Sequence, residues 1–155
     1  MASVRFVAIG DSFTEGVGDE LPDGVVRGWA DLTAAGWADS LGEPIQYANL
    51  AIRGKLVWPI VEQQLEPALA LKPTHLSFNG GGNDMLRGIS PDQTQSNLKA
   101  MLDELKKRDI PVVLTGMIGE DVQAFDAVMG AYGMPKNTDD EKATSMLDEV
   151  LAAAS

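Results

Sequence analysis

The sequence predicts an α/β fold, a parallel sheet covered by helices on both faces. Three observations carry that reading. Short, β-branched apolar runs recur along the chain, longer stretches with helical spacing of apolar residues separate them, and two capping boxes mark helix starts at Ser90 and Thr138. No internal repeat, low-complexity segment or linker divides the chain, so residues 1–155 are expected to form a single domain.

The elements follow in order. "VRFVAI" (4–9) reads as the first strand, and residues 27–41 as the first helix, which Gly36 weakens by about 1 kcal/mol relative to Ala. "PIQYAN" (44–49) is the second strand, followed by a helix over 57–70 in which Pro59 is tolerable only within the first turn. "THLSFN" (74–79) is the third strand. The next helix is the clearest: Ser90-Pro91-Asp92-Gln93 is a capping box with proline at the first helical position, and Leu98, Met101, Leu102 and Leu105 share one face of a helix of about 17 residues. "PVVLTG" (111–116) is the fourth strand, Gly130, Gly133 and Pro135 break any helix across 130–137, and Thr138-Asp139-Asp140-Glu141 opens a C-terminal helix. Strands alternating with helices imply four parallel strands joined by right-handed crossovers.

Composition narrows the function classes. A chain of 155 residues buries roughly 70% of the surface its unfolded form exposes. No apolar run approaches the ~20 residues of a membrane span, so no membrane partner is expected. The N-terminal apolar stretch meets "GDS" too soon for a signal peptide, which favours a cytoplasmic location. The chain has no cysteine, which excludes disulfides and thiolate chemistry. A net charge of −11 argues against nucleic acid as a partner.

In parallel α/β sheets, ligands bind beyond the carboxyl ends of the strands, where strand order reverses. After strand one comes Gly10-Asp11-Ser12, after strand two "NLAIRG" ending at Gly54, and after strand three "GGGND" with Asn83 and Asp84. A serine, a glycine that brings its backbone N–H to a ligand and an asparagine carboxamide are the parts of an acyl-transfer site, in which the serine attacks and fixed donors hold the oxyanion. Taken singly, Ser12 could cap a helix, Gly54 serve a turn, and Asn83-Asp84 a turn or cap. "GVGDEL" fails the dinucleotide pattern, no phosphate-loop or metal motif occurs, and Thr14 replaces the last glycine of the G-x-S-x-G elbow.

"AIGDSFTEG", "YANLAIRG" and "FNGGGNDMLRG" resemble blocks I, II and III of the GDSL, or SGNH, hydrolase family over roughly residues 4–117. The resemblance implies a flavodoxin-like three-layer α/β/α sandwich, usually with five parallel strands, and hydrolysis of carboxylic esters, thioesters or carbohydrate O-acyl groups without a cofactor. By the same resemblance, Ser12 matches the nucleophile, and its N–H, the Gly54 N–H and the Asn83 side chain match the oxyanion donors. Gly10, Asp11 and Asp84 match supporting positions, Asp11 backing the loop rather than serving as the triad acid.

The family's fourth block, D-x-x-H, is missing, so the C-terminal part looks shortened and the general base is unassigned. Asn137 or its neighbours fall near the expected histidine position. The single histidine, His75, opens strand three and stands roughly 13 Å from the catalytic edge. Lys55 reads as a loop lysine, and Asp139, Asp140 and Glu141 suit the start of a helix. Three functional expectations follow. The first is an ester hydrolase acting on small acyl esters through Ser12 with impaired activity. The second is a noncatalytic, truncated or engineered scaffold that keeps the fold and can bind a ligand. The third is a flavodoxin-like small-ligand module. Losing a fifth strand would also bare the 111–116 edge, predicting cover by the C-terminal helix or homodimerisation there.

Overall fold

Strand β1 (Arg5–Gly10) is the centre of the architecture because it is apolar on both sides, with Phe6 to Gly10 all buried. The computed structural model describes residues 4–115. After β1 come a single helical turn α1 (Ser12–Glu15), then α2 (Trp29–Leu41), β2 (Gln46–Asn49), α3 (Val57–Ala70), β3 (His75–Asn79), a short α4 (Gly82–Leu86), α5 (Pro91–Lys107) and β4 (Val112–Thr115). The four strands are parallel, in the order β2-β1-β3-β4. The expected α/β sheet is therefore present.

Alternation along β1 builds the two cores. Val7 and Ile9 face α3 and α5, in a cluster with Val57, Ile60, Leu76, Phe78 and Met101. Phe6 and Ala8 face the opposite way, against Ala30 and Ala34 of α2. On that side the Phe6 ring stacks on Tyr47 at 5.4 Å and tilts against Trp37 at 5.9 Å.

Element boundaries differ from the expectations where backbone chemistry intervenes. β2 starts at Gln46 rather than at Pro44, since proline has no N–H for the ladder. α2 starts at Trp29, because Gly28 is its N-cap and the Gly28 N–H donates to the Asp31 carboxylate at 2.8 Å. α3 spans the expected residues but also contains Pro67, which has no N–H to offer the Gln63 carbonyl one turn earlier; both residues are exposed. At the start of α5 only half of the capping box forms: Ser90 Oγ accepts from the Gln93 N–H at 3.2 Å, while the Gln93 amide reaches Asn97 instead. The short turns α1 and α4 replace stretches expected as loops. The 130–137 break and the C-terminal helix expected to cover the outer edge of β4 lie outside the described residues.

Two glycines make opposite demands. A Cβ on Gly10 would stand 2.5 Å from the Asn79 carbonyl oxygen, whereas one on Gly36, in the middle of α2, would meet nothing within 4 Å. Gly10→Ala is expected to destabilise the fold by about 1–3 kcal/mol through forced backbone displacement. Gly36→Ala is expected to stabilise it by about 1 kcal/mol. Denaturant titration of the two variants checks both, and the same sign for both would contradict this packing.

Candidate active site

The chain runs from β1 to β2 on one side and then crosses to β3 on the other, so strand order reverses at the carboxyl ends of β1 and β3. Gly10 pairs in register with Asn79 there. Its backbone is held from the α3 side by the buried Gln64: the Gly10 N–H donates to Gln64 Oε1 and Gln64 Nε2 donates to the Gly10 carbonyl, both at 2.9 Å. The Ile52 N–H also reaches that carbonyl, at 3.1 Å.

Asp11 follows and caps α1, its Oδ1 accepting from the Phe13 N–H at 3.2 Å. The capping role therefore belongs to Asp11, and Ser12 is the first residue inside the turn, half-buried, with its backbone N–H bonded to no other described residue. The next side chain, Phe13, is 63% exposed. Thr14 is buried, its carbonyl accepting from Asn49 Nδ2 at 2.8 Å, and Asn49 Oδ1 in turn accepts from the Ala51 N–H at 3.0 Å. This amide ties the loop after β2 to the turn that carries Ser12.

Gly54 sits in that loop with φ 76°, a left-handed conformation that favours glycine, although a Cβ there would meet no atom within 4 Å. Its N–H has no partner among the described residues, and its carbonyl accepts from Arg87 Nη2 at 3.3 Å. From the start of α4, Asn83 Nδ2 donates to the Lys55 carbonyl at 2.9 Å and to Asp11 Oδ2 at 3.2 Å. One carboxamide thus bridges the serine turn and the Gly54 loop. Asp84, the next residue, is 2% exposed; its Oδ2 accepts from the Val57 N–H at 2.9 Å, satisfying the first turn of α3.

Three carboxylates around this network differ in electrostatics. Burial lifts the Asp11 carboxyl above its ordinary 3.8; the Phe13 N–H opposes the rise and the Asp84 charge adds to it. Burial lifts Asp84 as well, against the Val57 N–H. Glu15 behaves oppositely, its carboxyl held low by hydrogen bonds from Arg53.

His75 lies at the other end of β3, paired with Phe6 while the site lies beyond the Gly10 and Asn79 pair, about 13 Å along the strand. Its ring packs edge-on against Trp37 at 4.7 Å, and Nδ1 is 3.0 Å from Thr74 Oγ1. It is half-buried. Lys55 Nζ donates to Gln63 Oε1 at 2.6 Å, along α3. Asn137, Asp139, Asp140 and Glu141 lie outside the described residues. Among the described residues, no cluster of three or more His, Asp or Glu could hold a metal ion, and no helix is long and apolar enough to cross a membrane.

The structure thus brings Gly10, Asp11, Ser12, Gly54 and Asn83 together and sets Asp84 behind them. Sequence reasoning passed over Gln64, Asn49, Glu15 and Arg53. Gln64 had a visible signal, a polar residue on the apolar stripe of Ile60 and Ala68, four residues from each.

The GDSL-like lipase/acylhydrolase family model matches residues 8–155. Among solved structures, the psychrotrophic esterase EstA from Pseudoalteromonas sp. superposes with TM-score 0.70 at 18% identity, over 97% of this chain and 73% of that one. TesA superposes with TM-score 0.69 at 22% identity, over 97% and 72%. At these identities the likeness is one of fold. AlinE4, an SGNH-hydrolase family esterase, is 30% identical with TM-score 0.63, over 76% of this chain and 61% of that one. A curated protein, the methenyltetrahydrofolate cyclohydrolase of Methylorubrum extorquens, is 50% identical over 64 residues, 40% of this chain and only 30% of that protein's length. With the family model spanning residues 8–155 and the fold shared with esterases, the chain belongs to the GDSL-like lipase/acylhydrolase family.

Proposed function

We propose that the chain is a serine ester hydrolase acting on small acyl esters, with Ser12 as nucleophile and the Ser12 N–H, the Gly54 N–H and the Asn83 carboxamide as oxyanion donors. The observation that carries this reading is the Asn83 bridge, which joins the loops bearing the other two donors through Asp11 and Lys55. In the reaction, Ser12 Oγ bonds to the ester carbonyl carbon, the C=O electron pair moves onto oxygen, and the donors receive that charge. The Oγ proton passes to solvent water, the alkoxide leaves when the carbonyl re-forms and takes up a proton from solvent, and water then hydrolyses the acyl-serine to the acid and returns the proton to Oγ. The Ser12 N–H and Gly54 N–H are unoccupied by described residues, whereas Asn83 donates to the oxyanion by giving up its longer bond to Asp11.

The serine proton needs an acceptor within about 3 Å, and the chain's single histidine is about 13 Å away along β3. From the described residues, the turnover expected is therefore near that of an oxyanion site and binding without a working triad, about 10³–10⁴-fold over water. The same distance favours a second reading, a scaffold that binds acyl ligands without attacking them. A fluorophosphonate probe separates the two: slow labelling confined to Ser12 supports the hydrolase, and complete resistance supports the binder.

Hydrolysis of p-nitrophenyl acetate and butyrate by the parent and Ser12→Ala tests the nucleophile. The variant is expected to be slower than the parent, keeping at most what the remaining oxyanion donors and binding supply, and identical rates would remove Ser12 from the chemistry.

The raised Asp84 carboxyl gives a pH test. Above its ordinary 3.8, the folded chain still holds a proton that the unfolded chain has lost, so this group's contribution to stability falls as pH rises through the window from 3.8 to its higher folded value. Asp84→Asn deletes that dependence and relieves Asp11 of a neighbouring charge. The Tm of the variant minus that of the parent is expected to become more positive as pH rises above 3.8; a constant difference across that range would count against burial as the cause.

A further inference from the structure

Glu15 closes the one-turn helix that Ser12 opens, and residues three apart on a helix share a face. Its carboxylate spans to the loop after β2. Glu15 Oε2 accepts from the Arg53 backbone N–H at 2.7 Å, and the Arg53 guanidinium adds Nε to Oε2 at 3.1 Å and Nη2 to Oε1 at 3.0 Å. The next residue along the chain is Gly54. Glu15 side-chain exposure is 22% against 59% for Arg53, so the carboxylate is the sheltered partner and the guanidinium the wet one.

We infer that Glu15 is a positioning residue for the Gly54 N–H, acting through the Arg53 backbone amide, so that the turn carrying the nucleophile also sets the distance to an oxyanion donor. The inference rests on the reading of the Gly54 N–H as such a donor. The argument is one of leverage. A side chain on the Ser12 turn grips the peptide unit adjacent to the one that carries the Gly54 N–H, and the holds just beyond it come from other elements: Arg87 on the Gly54 carbonyl and Asn83 on the Lys55 carbonyl. Asn49 and Asn83 also join this loop to the serine turn, through Ala51 and Lys55, but Glu15 grips the residue that directly precedes Gly54. Because the grip is on backbone, the two partners are unequal. Removing the arginine side chain leaves an N–H at residue 53 for Glu15 to accept, whereas removing the carboxylate releases the loop. An ordinary exposed ion pair would make the two truncations equivalent and nearly silent.

The test compares Glu15→Ala, Arg53→Ala, the double variant and Glu15→Gln, reading kcat and KM for p-nitrophenyl acetate together with the Gly54 and Arg53 amide resonances and their hydrogen exchange. Glu15→Ala is expected to lower kcat about 10- to 100-fold with KM nearly unchanged, because misplacing a transition-state donor costs rate rather than ground-state binding. Both amide resonances should shift, and the Arg53 amide should exchange faster. Arg53→Ala should change kcat by less than about threefold, and the double variant should match Glu15→Ala. Glu15→Gln, which keeps an acceptor oxygen, should recover most of the loss. Equal effects of the two single truncations, or an unmoved Gly54 amide in Glu15→Ala, would overturn the inference. Turnover undiminished in Ser12→Ala would instead sink the functional reading, and the amide measurements would still decide the role of Glu15.

Discussion

The Gln64 carboxamide forms a closed pair of 2.9 Å hydrogen bonds with the N–H and carbonyl of Gly10, inside the core between the sheet and α3. A buried amide left without partners costs several kcal/mol, and a strand end whose ladder partners run out has the same problem. Each group solves the other's. The pair can form because Gly10 has no side chain, which also lets its backbone press against the Asn79 carbonyl. The direction in which the chain leaves the sheet at Asp11 and Ser12 depends on this contact.

From there the site is assembled by short polar side chains working on backbone rather than on one another. Asn49 holds the Thr14 carbonyl, Asn83 the Lys55 carbonyl, Asp84 the Val57 N–H and Glu15 the Arg53 N–H. Loops without regular structure must have their backbone groups satisfied somehow, and here side-chain amides and carboxylates do this. Burial of two neighbouring carboxyls, Asp11 and Asp84, is the electrostatic cost, and both are lifted above their ordinary range.

The strands and long helices were legible because their signals are local and repetitive. Residues 57–70 and the helix from Pro91 appear where apolar spacing and the proline at the first helical position put them. What failed was local chemistry with competing solutions. Ser12, readable as a cap, ceded that role to Asp11, and the Gln93 side chain preferred Asn97 to closing the capping box. The turn at Gly82–Leu86 is too short to carry a periodicity at all.

The amino-acid sequence by itself determined the parallel α/β architecture, the three loops that meet at the strand ends, and the distance of His75 from them, because strand rise and alternation convert position in the chain directly into position on the sheet. Tertiary structure decided which side chains hold those loops together. Gln64 meets Gly10 across 54 residues and Arg53 meets Glu15 across 38, pairings between groups that have no pattern along the chain and find each other only when the sheet and its helices have packed.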